Sequence, residues 1–176
     1  MRLLILYDLN KLEDVTKDEI AKFIDGLTAN ETKYYDIVDD NIINSVMMIK
    51  CLRNTDGTLI GIGGVAKWYK MFPHTFYMIK EEWQGQGIGN IFANNNIKFA
   101  KNRLWGIFTI VDAGNIKAVK IADRHGIKLI SRIDKRYYGY RSFSVIGDIV
   151  KLFFPVMIRI YESKLGRFIK NKIHGN

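Results

Sequence analysis

The sequence predicts an α/β domain, a mixed sheet crossed by helices, on three observations. β-prone and amphipathic segments alternate along the chain, the apolar run "LWGIFTIV" reads as a buried strand, and a glycine cluster at 84–90, "QGQGIGN", joins a strand to a helix. At 176 residues with 48% apolar content, the chain has the size of one ordinary domain and can bury a core without disulfides or metals.

Taken in order, "MRLLILY" reads as a first strand rather than a signal peptide, because its apolar run stops at Asp8 with no small-residue cleavage site behind it. Thr16 with Glu19 three residues on predicts a capping box for a helix to about Leu27, with Ile20, Phe23 and Ile24 as its apolar face. Residues 28–44 are polar and irregular, a short second helix and a loop. "SVMMIKCLR", "NTDGT" and "LIGIGGVAKWYK" predict a β-hairpin around an Asp-Gly turn. Pro73 breaks the chain, and "HTFYMIKEEW" follows as a further strand. Ile91, Phe92, Asn95 and Phe99 sit at helical spacing, and "AGNIKAVKIADRHG" is a second such segment ending at Gly126, a natural residue to follow a helix. "IKLISRI" and "RYYGYRSF" complete seven strands in the order β, α(α), βββ, α, β, α, ββ, before a long C-terminal helical segment.

The net charge of +9 is unevenly placed: residues 1–44 carry ten acids against five bases, while residues 45–176 carry eight acids against twenty-two bases. Such a body attracts anions, whether nucleotide phosphates, nucleic acid or acidic lipid, and also serves plain solubility. A nucleic-acid module is disfavoured, because the aromatics fall inside strand patterns rather than on an exposed basic stripe. The single cysteine, Cys51, lies in an apolar-alternating run and reads as a small buried hydrophobe in a reducing, cytoplasmic compartment. No metal site is expected. The longest uncharged apolar run near the C-terminus, Leu152 to Ile158, is far below the about 20 residues needed to cross a bilayer.

A glycine-rich turn that opens a helix presents bare backbone N–H groups together with the positive end of the helix dipole, which makes an anion site. There is no Gly-Lys-Ser/Thr for a P-loop, and the G-x-G-x-G spacing differs from the dinucleotide fingerprint. A plain tight turn is the structural alternative.

Gln84, Gly87 and Gly89, followed by a helix, a buried strand, and then Asn115, Ala118 and Gly126, resemble the GCN5-related N-acetyltransferase (GNAT) superfamily over roughly residues 58–143. The resemblance implies a mixed, mostly antiparallel seven-stranded sheet in which two parallel strands, about 75–82 and 105–111, splay into a slot for acetyl-CoA. It implies a domain at 1–143, with 144–176 a basic amphipathic extension. It implies that amides around Gln84, Gly85, Gln86, Gly87, Ile88, Gly89 and Asn90 hold the pyrophosphate. Met78, Ile79 and Lys80 would pair with the pantetheine arm, the Ile79 amide would meet the oxyanion, and Asn115 would lie near the thiol end.

The implied reaction is attack of a neutral primary amine on the thioester, and an amine with a pKa near 10 must first lose a proton. Glu81, Glu82, Asp112, His74 and His125 are nearby bases, and Glu81 is taken as the candidate. Where the family commonly has a tyrosine to protonate the thiolate this chain has Ala122, and Ile127 replaces an aromatic after the glycine. Tyr138, among Tyr137, Tyr138 and Tyr140, is taken as the stand-in acid, against the reading of "RYYGY" as a packed strand. A thiol pKa of about 8.5 makes thiolate a tolerable leaving group without an acid. The alternative is a catalytically weak fold that binds coenzyme A or a macromolecular partner. The acidic residues Asp14, Asp18, Glu19, Asp25, Glu31, Asp36, Asp39 and Asp40 favour a cationic amine acceptor, small or surface-displayed.

Beyond Phe143, Ile146, Ile149, Phe153, Met157, Ile160, Tyr161, Leu165, Phe168 and Ile169 form a stripe at helical spacing, which Pro155 should kink or split. This helix could dock on its own domain, pair with a second subunit as a homodimer, or make a peripheral membrane contact.

Overall fold

The computed structural model describes residues 12–32, 45–68 and 72–163, and the chain divides into two compact units, 1–103 and 104–176. The expected first strand at 1–7 lies outside the described residues. Six strands are described, three in each unit, and every pairing within a unit is antiparallel.

In the first unit, helix α1 (Lys17–Asp25) starts where the capping box places it. Glu19 donates its N–H to Thr16 Oγ1 at 3.3 Å while its carboxylate accepts the Thr16 N–H at 2.9 Å. A short helix α2 (Ala29–Thr32) follows, then the hairpin of β1 (Val46–Arg53) and β2 (Leu59–Trp68), and then β3 (Phe72–Ile79). Pro73 does not break the sheet: it is the second residue of β3, opposite Lys67 in the ladder, near a strand end where a missing N–H is tolerated. The strand expected to run through Trp83 instead stops at Ile79, and Glu81–Trp83 winds into a 3₁₀ turn closed by Trp83 N–H to the Lys80 carbonyl. Helix α3 (Ile88–Arg103) begins inside the glycine cluster.

Neighbouring residues of β2 face opposite sides of the sheet, so one helix covers each face. Ile62 joins Ile20 and Phe23 of α1 with Cys51 and Met78 in one core, whereas Gly63 lies under Phe92 of α3. A Cβ on Gly63 would stand 2.6 Å from the Phe92 ring, so the glycine sets how closely α3, and the loop that opens it, approach the sheet. Cys51 is buried as expected, and burial raises its thiol pKa.

Three acids near the start of the first unit are paired. Asp14 meets Lys50 at 2.7 Å, and Arg53 bridges Glu13 at 3.3 Å and Glu19 at 2.5 Å. Backbone and side-chain hydrogen bonds from Thr16, with the Arg53 guanidinium, hold Glu19 down at about 2. A carboxylate with a depressed folded pKa stabilises fully above the ordinary value of 4.5 and loses that contribution as pH falls toward about 2. Because this carboxylate is open to solvent, its share of stability is small; Tm should fall modestly over that window, and Glu19→Gln should flatten the slope, whereas an unchanged slope would remove Glu19 from the account.

In the second unit, β4 (Gly106–Asp112) pairs with β6 (Arg136–Ser142), which pairs with β5 (Lys128–Ile133). Helix α4 (Ile116–Arg124) ends at Gly126, whose φ of +68° is the left-handed turn anticipated for it. Helix α5 (Val145–Glu162) docks through Phe154 and Ile158, with the Phe154 ring 5.3 Å from Tyr140 and 6.0 Å from Phe108. Pro155 neither ends nor splits α5, which continues through it; the Lys151 carbonyl lacks its helical donor, and anchored neighbours on both sides of the proline keep the turns together. The residues that dock are not the stripe anticipated from spacing: Ile146, Ile149, Phe153 and Ile160 are exposed, and Leu165, Phe168 and Ile169 lie outside the described residues.

Candidate functional site

In the first unit the site is the turn between β3 and α3. Gly85 and Gly87 take φ of +82° and +86°, a region that L side chains rarely enter, and no atom lies within 4 Å of where a Cβ would stand on either. The turn is held from outside its amides: Gln84 Nε2 donates to the Ile79 carbonyl at 3.1 Å and Gln86 Nε2 to the Glu82 carbonyl at 3.3 Å. Among the described residues, the N–H groups of Gly85, Gln86, Gly87, Ile88 and Gly89 meet no acceptor; Asn90 N–H is the first to close the helix, on the Gly87 carbonyl. Gly89 belongs to the first turn of α3 and is buried there. Open, unpaired amides at a 16-residue helix N-terminus fit a phosphate-bearing ligand.

The ladder decides what β3 can offer. The bond from Lys80 N–H to the Ile60 carbonyl, 3.0 Å, flanks the Gly61/Ile79 pair, which makes that pair a non-hydrogen-bonded one. Ile79 therefore turns its own N–H away from β2, while Met78, in the adjacent pair, and Lys80 give their N–H groups to β2. Of the three residues expected to pair with a ligand arm, only Ile79 has its amide directed outward. Met78 adds a buried side chain to the α1 core instead.

Glu31, expected among the acids that attract a cationic acceptor, has a structural role instead. Its buried carboxylate accepts the Glu81 N–H at 2.7 Å and the Thr28 N–H at 2.6 Å, tying α2 to the start of the 3₁₀ turn. Burial pushes its pKa up, but the bonds from Thr28 and the Glu81 amide outweigh that and leave it lowered. The signal was in "TANE", a second Thr-x-x-Glu capping box whose acid also reaches the site. Glu31 is thus committed to backbone and is not an exposed charge for an acceptor. Asp36, Asp39 and Asp40 lie outside the described residues.

Of the candidate bases in this unit, Glu81 is exposed at the head of the 3₁₀ turn, and Glu82 uses its carbonyl on Gln86. Burial lowers His74 to about 4, so it is neutral at pH 7.

In the second unit Asn115 caps α4, its side chain accepting Ala118 N–H at 3.1 Å, and Asp112 shapes the preceding turn by accepting Gly114 N–H at 2.7 Å. Burial, with Arg124 and Arg141, lowers His125, whose Nε2 is buried with no partner among the described residues. Ala122, at the position where the resemblance leads one to expect a tyrosine, is buried. Tyr138 is 1% exposed and donates its hydroxyl to Glu162 of α5 at 3.1 Å; burial and that carboxylate push its pKa up to about 12. Its proton is therefore already committed to a carboxylate within the unit. Arg132 lies over the Tyr137 ring at 5.3 Å. Among the described residues, no group of three or more His, Cys, Asp or Glu could hold a metal ion.

The family model described as "Acetyltransferase (GNAT) family" matches residues 12–127. Similar solved structures include the spermidine N-acetyltransferase of Vibrio cholerae in complex with CoA and spermine, 16% identical over 75% of this chain and 94% of that one, TM-score 0.59. An acetyltransferase from Agrobacterium tumefaciens is 15% identical over 74% and 88%, TM-score 0.60. An aminoglycoside acetyltransferase in complex with coenzyme A and kanamycin is 11% identical over 75% and 94%, TM-score 0.60. No curated protein matches the sequence. At such identities the likeness establishes the fold, the α/β fold that the sequence predicts.

Proposed function

Because this chain belongs to the acetyltransferase (GNAT) family, we propose that it moves an acyl group, acetyl in the first instance, from acyl-CoA to a primary amine. One observation carries the reading: five successive amides, Gly85 to Gly89, have no acceptor among the described residues, at a turn held open by two left-handed glycines. Those amides hold the pyrophosphate of the donor, Asn90 closes the helix behind them, and the outward Ile79 N–H meets the thioester oxygen as it gains charge.

The amine nitrogen attacks the thioester carbon, the carbon–sulfur bond breaks, and the sulfur leaves as thiolate with its electron pair. Glu81 takes the amine's proton, directly or through one water. Tyr138, with its hydroxyl on Glu162, is not assigned the acid role, and solvent protonates the thiolate. The acceptor is an amine, in keeping with the spermine and kanamycin named in the related complexes. Its attraction does not come from Glu13, Asp14, Glu19 or Glu31, which are paired within the fold.

The test is free-thiol release from acetyl-CoA with a polyamine, an aminoglycoside and a lysine peptide as acceptors. Amine-dependent release is expected. Glu81→Gln should lower kcat by about 10²-fold or more, and Tyr138→Phe should leave it within a few-fold. Stabilisation by coenzyme A without thiol release on any amine would favour the alternative, a coenzyme A-binding protein without catalysis.

A further inference from the structure

Helix α5 is apolar on two opposite faces, and only one of them is covered. At about 100° per residue, Val145, Ile149, Leu152, Phe153, Val156 and Ile160 fall within about 100° of arc, opposite Phe154 and Ile158. These six side chains are 52% to 77% exposed, whereas Phe154 and Ile158 are buried. A single exposed leucine needs no explanation, but six along one side of an 18-residue helix form a contiguous patch of the kind that marks an interaction surface.

Charge decides what covers it. Residues 1–103 carry thirteen Lys/Arg and thirteen Asp/Glu, while residues 104–176 carry fourteen against five, so the second unit holds the whole net charge of +9. On α5 itself exposed Arg159 and half-buried Lys151 are matched by exposed Asp148 and half-buried Glu162, so the excess comes from the rest of the unit, where residues 164–176 add four Lys/Arg and no acid. A second copy seated face to face would bring two units of like charge together. An anionic surface would gain from the same charges. Trp105, 42% exposed, stands at the N-terminal end of α5, where its carbonyl accepts the Ser144 hydroxyl at 3.4 Å; an indole there suits the boundary between headgroups and acyl chains. No helix among the described residues is long and apolar enough to cross a membrane.

We propose that the outer face of α5 lies in the plane of an anionic lipid surface, its apolar side chains at the acyl boundary and its basic residues among the headgroups. This inference is independent of acyl transfer.

The experiment is co-sedimentation of the full chain with phosphatidylcholine–phosphatidylglycerol vesicles, with pure phosphatidylcholine and no vesicles as the other arms. Binding to the anionic vesicles is expected, at least about 10-fold tighter than to neutral ones, falling as salt is raised to 1 M, where the screening length drops to about 3 Å. Leu152→Glu with Phe153→Glu should weaken binding about 100-fold, since two large apolar side chains no longer leave water. Both positions are solvent-facing, so circular dichroism and Tm should be unchanged, which separates lost binding from lost folding. Equal binding to neutral vesicles, or no vesicle binding by the native chain, would overturn the proposal. A dimer on gel filtration that the double variant converts to monomer, without vesicle binding, would assign the face to a second copy instead.

Discussion

Gly87→Val is expected to abolish stabilisation of this protein by coenzyme A or acetyl-CoA. With φ at +86° and open space around the missing Cβ, the substitution acts through the backbone rather than through a clash. A non-glycine residue in the left-handed region costs about 1–2 kcal/mol, and a β-branched one is worse placed still, so the turn should move toward a conformation that aims its amides elsewhere. Hydrogen bonds from amides to a charged phosphate contribute about 1.5–3 kcal/mol each, so losing two would weaken binding by about 10² to 10⁴. A ligand at a hundred times its Kd stabilises by about 2.7 kcal/mol, a shift that thermal melts resolve easily. The native chain should show it with millimolar coenzyme A and the variant should not. A variant that keeps the shift would mean the glycines shape the turn for some purpose other than holding the ligand.

Asn96→Ala is expected to be the most destabilising small change in the first unit. Asn96 is fully buried on α3, and its side-chain nitrogen donates to the Gly64 carbonyl at 2.9 Å, Thr75 Oγ1 at 2.9 Å and the Phe76 carbonyl at 3.2 Å. One amide thus reaches both β2 and β3 from the helix that opens with the glycine turn. Removing it deletes these bonds and leaves a cavity, which together should cost about 2–3 kcal/mol and lower Tm by roughly 5–10 °C. The cost is held down because Asn96 Oδ1 has no partner among the described residues, so its loss relieves a desolvated acceptor. Asn96→Asp should fall further at pH 7, since a carboxylate facing carbonyl oxygens cannot donate. An unchanged Tm in both would show that α3 is held to the sheet by Phe92 and its apolar neighbours alone.

The parts of the site that were legible share a reason: each is a local backbone requirement. Gly85 and Gly87 stand where a left-handed turn is needed, Thr16 and Glu19 where a helix needs its first amides satisfied, and Gly126 where one must end. Such needs are met by residues a few positions apart, so the pattern survives in one dimension. Pattern is lost where two distant segments compete for the same group. Glu31 looked like one of several surface acids, and only the folded chain brings the Glu81 amide to it, 50 residues away. Tyr138 looked available as an acid until α5 folded Glu162 onto its hydroxyl. Met78 and Lys80 looked equivalent to Ile79 until the β2–β3 register gave their amides to a neighbouring strand.

The sequence by itself determined the α/β order of elements and the left-handed glycine turn that opens a helix, because periodicity and left-handed turns are properties of neighbouring residues. The tertiary structure alone decided which strand amide faces outward, which acids remain available, and which of two apolar sides of α5 is buried. Spacing identifies an amphipathic stripe but cannot choose between opposite faces that are both apolar; the sheet made that choice by accepting Phe154 and Ile158, and it left Leu152 and Phe153 to the solvent.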